Sequence, residues 1–178
     1  MVQIVVTPEV ICLAIALATG AATPATHRTA ATERAAEHVT ARFEAWLANP
    51  SPAASAAIRE RVQLGAPPIA LVALLEGLQS APNRDLLDVV QSLASYRRPQ
   101  VRAHAILAWA ELGPDQAARA LAAACADLDP SIRRLAPAIA ARHPSDEAEQ
   151  RIVDLLERDP ALAQALAEDD IVEIEADL

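Results

Sequence analysis

The chain has 178 residues, enough for one domain with a sizeable core. Alanine and aliphatic side chains dominate, glycine is scarce, and long runs of alternating β-branched residues are absent, which excludes a β architecture and predicts an all-α protein. The formal net charge is −9 and every basic residue is an arginine, a balance that argues against nucleic acid as a ligand, because phosphate backbones need a cationic surface.

Taken in order, the first six residues, MVQIVV, read as a short extended arm. Thr7-Pro8-Glu9 is a helix start: a capping hydroxyl, proline at the first helical position and an acid in the first turn. A helix is expected over residues 8 to 18, ended by Gly20. The apolar run from Val10 to Ala18, followed by small residues, also resembles the core and cleavage zone of an export signal. No Arg or Lys precedes it, and it is shorter than the roughly 20 residues that span a bilayer. A buried core helix in a cytoplasmic protein is the expectation; export or membrane anchoring through residues 1 to 22 is the alternative. Residues 21 to 28, with Pro24, are predicted as a loop. A second helix is predicted over residues 29 to 48, its apolar stripe carried by Ala36, Val39, Phe43 and Leu47.

From residue 50 onward the punctuation is regular. Pro52, Pro68, Asn83, Pro99, Pro114, Pro130, Ser145 and Pro160 each mark a helix start, at intervals of 15 or 16 residues. The prolines therefore set the phase of a helical array. Ile58 and Val62 mark the core side of the first of these helices. Ile69, Val72, Leu74, Leu75 and Leu78 make the next one apolar nearly all round, and deep burial is expected for it. Leu86, Val89 and Leu93 follow, then Val101, Ile106 and Trp109; Leu121, Cys125 and Leu128; Ile132, Leu135 and Ile139; Ile152 and Leu155; and Leu162 and Leu166. Gly65 and Gly113 are expected as left-handed helix stops, and Pro137 should kink the helix that contains it. Residues 169 to 178 form an acidic tail, read as solvated, as a last capping helix or as a strand paired with the N-terminal arm.

Two stretches say almost the same thing. Pro99-Gln100-Val101-Arg102 and Pro130-Ser131-Ile132-Arg133 lie 31 residues apart, a period typical of stacked helical hairpins. With Asp127 and Asp129 ahead of the second unit, this text resembles the HEAT-repeat family, particularly its bacterial, phycobilin-lyase-like branch. The resemblance is good over residues 83 to 142 and degenerate on either side. It implies an α-solenoid of about four HEAT-like helical hairpins over residues 51 to 168, with an atypical N-terminal helix pair over residues 1 to 50, all in one domain. The helices from 52, 83, 115 and 146 would be A helices, and those from 68, 99, 130 and 160 B helices lining a concave face. Arg102 and Arg133 would tie neighbouring turns together through acidic side chains and carbonyls, with Asp127 and Asp129 as partners.

Residues able to do chemistry are sparse. His27, His38, His104 and His143 make no metal-ligand spacing with one another or with Cys12 and Cys125. Both cysteines stand in apolar helical text and read as small buried hydrophobes. No phosphate loop or nucleophile–base set is present, and no catalytic residue, metal or cofactor is expected. A tetrapyrrole-lyase accessory role would follow from the family name alone. The remaining signal is a group of arginines on the B helices. The expected function is a non-catalytic protein-interaction module that binds an acidic peptide or helix of a protein partner, with no nucleic acid and no membrane span. Its candidate contacts are Arg98, Gln100, Arg102, His104, Arg134 and Arg142. The alternative is a structural subunit of a larger assembly or a homo-oligomer.

Overall fold

Proline and short polar caps begin nearly every helix. The computed structural model describes residues 24–176, with side chains for residues 32–168. The expected arm, first helix, Gly20 stop, Cys12 and the side chain of His27 lie outside these. The elements are α1 (Pro24–Ala48), α2 (Pro52–Gln63), α3 (Pro68–Ser80), a 3-10 turn (Arg84–Leu86), α4 (Leu87–Leu93), α5 (Pro99–Ala110), α6 (Pro114–Ala126), α7 (Pro130–Arg133), α8 (Leu135–Arg142), α9 (Asp146–Arg158) and α10 (Pro160–Ala176). All regular structure among the described residues is helical. None of these helices is long and apolar enough to cross a membrane.

The caps are explicit. Ser51 Oγ accepts from the Ala54 amide at 3.1 Å, and Ser145 Oγ accepts from Ala148 at 3.1 Å. Asp129 and Asp159 do the same for Ser131 and Leu162. Each satisfies an N–H that the first helical turn leaves without a partner.

The chain divides into two units, Met1–His38 and Val39–Leu178. The described part of the first, residues 24–38, is helical throughout. In the second, α5 packs against α3, α4 and α6; α6 packs against α8 and α9; and α9 packs against α8 and α10. Two apolar clusters fill this unit. One is rich in large side chains, with Phe43, Ile58, Leu71, Leu74, Leu75, Leu78, Leu86, Val90 and Leu93. The other includes Ile106, Leu121, Ile132, Ile139 and Leu155, but also Ala110, Ala117, Ala120, Ala124, Ala136 and Ala148. Trp109 packs against both, and its indole Nε1 donates to Gln116 Oε1 at 2.8 Å. Cys125 is buried, and that burial pushes its thiol up.

Several sequence expectations change. Pro24 is not in a loop: with residues 25–28 it is helical, within α1. The helix expected from Asn83 begins with a 3-10 turn, and Asn83 Oδ1 accepts from the Asp85 amide. Pro137 does more than kink its helix. The hydrogen-bonded run is divided at Arg134, whose backbone stays right-handed (φ −62°, ψ −18°), because Pro137 has no N–H for the Arg133 carbonyl and its ring crowds that group. Gly65 has φ +91°, as a helix stop requires, whereas Gly113 has φ +128° and ψ 168°, an extended conformation outside the left-handed helical region, and leads directly into α6. Leu128 is 94% exposed, because α6 ends at Ala126 and leaves it in the following turn. Helix α3 is not buried all round: Ile69 is 68% exposed. In the acidic tail the backbone is helical as far as Ala176.

Candidate interaction groove

Two arginines link successive inter-helix turns. Arg102 Nε donates to Asp127 Oδ2 at 2.9 Å and Nη2 to Oδ1 at 3.0 Å, while Nη1 reaches the carbonyls of Tyr96 and Arg97. Arg133 repeats the arrangement. Its Nε donates to Asp159 Oδ2 at 2.8 Å, and Nη1 reaches the carbonyls of Asp127 and Leu128. Each guanidinium thus satisfies carbonyls five and six residues back and grips the next turn forward. The grips differ by two positions: Arg102 takes the aspartate three residues before Pro130, and Arg133 the one immediately before Pro160. Asp129, the other expected partner, lies 4.0 Å from Arg102 and serves mainly as the cap of α7.

Charge follows this geometry. Burial pushes the Asp127 carboxyl up, but hydrogen bonds from Arg102 and from the Asp129 amide, with the nearby arginine charges, bring it below the usual carboxylate range. The bond from Arg133 lowers Asp159 in the same direction. Arg102 is held above its ordinary value by Asp127. Nearer the N-terminal side, Arg59 pairs with Asp88 at 2.8 Å and also donates to the Asp85 carbonyl, while Arg84 Nε donates to the Leu112 carbonyl at 2.9 Å.

The candidate contacts separate into distinct places. Arg98, Gln100 and His104 come together on α5 and its entry turn. They face Pro68, Ile69 and Val72 of α3 across a groove of about 360 Å³, with Val101 completing the lining. Arg98 and Gln100 are exposed, and His104 is half-buried. Gln79 of α3 fixes the spacing: its Nε2 donates to the His104 carbonyl at 3.3 Å and lies 3.4 Å from His104 Nδ1. Glu76 Oε1 is 3.9 Å from the same ring nitrogen. Arg102, one turn along, is only half-buried but is engaged in the joint described above. Arg134 is exposed at the break between α7 and α8, and Arg142 pairs with Glu111 at 2.9 Å. Neither lines the groove.

Sequence reasoning missed the α3 wall. A signal existed: Leu71, Leu74, Leu75 and Leu78 already make a complete core stripe, and Ile69 and Val72 stand off it. The resulting groove has an apolar floor, an arginine at its mouth, an amide and an imidazole. That combination suits a segment carrying both apolar and acidic side chains. A scan against family models and searches of curated proteins and of solved structures find no match to this chain.

Proposed function

We propose that the chain is a non-catalytic interaction module, a HEAT-like solenoid of helical hairpins that receives an acidic segment of a protein partner between α3 and α5. The solenoid reading is supported by the 15- to 16-residue phase of helix starts, by the packing of helices α3 to α10 on close neighbours in sequence, and by the repeated ties at Arg102 and Arg133. The single observation that carries the function is the α3–α5 groove, where the exposed Ile69 faces Arg98 and His104. On a protein of net charge −9, a local arginine edge attracts acidic groups that the rest of the surface repels.

The test is titration of a labelled helical peptide bearing alternating acidic and aliphatic residues. Binding should weaken at high salt and fall about tenfold, or 1.4 kcal/mol, in Arg98→Glu, with helicity unchanged. Absence of binding, or binding indifferent to Arg98→Glu, would sink the groove assignment.

A further inference from the structure

We propose that the groove's occupant is the acidic C-terminal segment of a second copy of this chain, residues 168–178. The inference rests on reading the groove as an acidic-segment site, and it names the partner.

Chemical complementarity comes first. The segment reads Glu168-Asp169-Asp170-Ile171-Val172-Glu173-Ile174-Glu175-Ala176-Asp177-Leu178, with six acids and no base. Ile171, Ile174 and Leu178 recur at spacings of three and four, the pattern by which a helix seats itself in an apolar groove. The groove offers the counterpart: the exposed Ile69 and the half-buried Val72 for the aliphatic residues, and Arg98 with the neighbouring exposed Arg97 for the acids. Glu76 is the acid that lies beside His104, with Oε1 3.9 Å from Nδ1.

Length supplies the second argument. Helix α10 has 17 residues, whereas α9, against which it packs, has 13. At 1.5 Å per residue the excess is about 6 Å, roughly one further turn. That turn lies within the acidic, aliphatic stretch. Helix α10 runs from Pro160 to Ala176 and its packing partner is α9, whereas the groove is formed by α3 and α5, which favours the groove of a second copy as the receiving surface. The donating end and the receiving groove are different surfaces, so the contact is head-to-tail and leaves one groove and one tail open for further copies.

Sedimentation velocity on the full chain over a hundredfold concentration range tests this. The weight-average mass should rise with concentration and fall back in high salt. Arg98→Glu disables the groove, and the pair Asp170→Arg with Glu173→Arg disables the tail, so each variant alone should be monomeric. Mixed, they should form a dimer and nothing larger, because one supplies the only working tail and the other the only working groove. Ile69→Ser, which changes neither charge nor a core position, should also lower self-association. A wild-type chain that stays monomeric, association that survives in either charge variant, or a mixture that fails to dimerise overturns the proposal. If the chain is monomeric but a foreign acidic peptide still binds and is lost in Arg98→Glu, the self-partner is wrong and the groove reading stands. If the foreign peptide also fails to bind, both are wrong.

Discussion

Arg102 holds Asp127 with two prongs of its guanidinium, at 2.9 and 3.0 Å, and uses its third nitrogen on the carbonyls of Tyr96 and Arg97. One side chain therefore closes its own turn and fastens the following one. Arg102→Ala leaves a carboxylate and two carbonyls without their donor, a loss of about 2–3 kcal/mol for charged hydrogen bonds in a partly enclosed site. Urea unfolding followed by circular dichroism should show it. Arg102→Lys should recover only part, because an ammonium cannot bridge both carboxylate oxygens. Adding Asp127→Ala to Arg102→Ala should cost less than the sum of the two single changes.

Acid should destabilise the protein through the same joints. Asp127, Asp159 and Asp88 all have folded carboxyls below the ordinary range. A group depressed on folding gives stability that is complete above its unfolded value, near about pH 4, and is lost as pH falls through the folded value. The thermal midpoint should therefore be flat with respect to these groups above about pH 5 and should drop below about pH 4. Asp127→Asn should lower the plateau and make the acid limb shallower. A limb of unchanged slope would exclude Asp127 as a contributor.

Gly113 and Gly65 both have positive φ, yet alanine should be tolerated differently at the two positions. A Cβ at Gly65 meets nothing within 4 Å, so only backbone strain opposes it. A Cβ at Gly113 would strike the guanidinium of Arg84, whose Nε is bonded to the Leu112 carbonyl. Gly65→Ala should cost about 1 kcal/mol and Gly113→Ala about 2–3 kcal/mol, the latter adding a displaced hydrogen bond to the strain. Chemical denaturation of the two variants gives the comparison.

Ile69 and Leu74 stand five residues apart on α3 with opposite surroundings, 68% exposed and fully buried. Ile69→Ser should change stability by no more than about 0.5 kcal/mol, whereas Leu74→Ala should cost about 2–5 kcal/mol. Peptide binding should respond in the reverse order: lost in Ile69→Ser, retained in Leu74→Ala under conditions where that variant is folded.

Local signals carried much of the helical layout. Pro52, Pro68, Pro99, Pro114, Pro130 and Pro160 each stand at a first helical position, because a fixed φ and a missing N–H suit only that place. The ties made by Arg102 and Arg133 were expected from the resemblance of their two turns to a known repeat, but Asp159 as the partner of Arg133 was not. What was not readable depended on which neighbour covers a residue. Ile69 and Leu71 are equally apolar, but α3 turns one toward the groove and the other into the core. Arg98 and Arg142 are equally cationic, but a distant carboxylate, Glu111, reaches only the second.

The two apolar clusters differ in what holds them, and this implies an uneven resistance to local opening. Around α3, large aliphatic side chains dominate; around α6 and α9, alanines thin the packing and the ionic joints at Arg102 and Arg133 lie close by. Below about pH 4 the second arrangement should weaken at Asp127 and Asp159, whereas the first has the more exposed Arg59–Asp88 pair and rests mainly on its aliphatic packing. Amide hydrogens of α9 should then exchange with solvent well before those of α3, so the chain would fray from its C-terminal half while its N-terminal-side core stays closed.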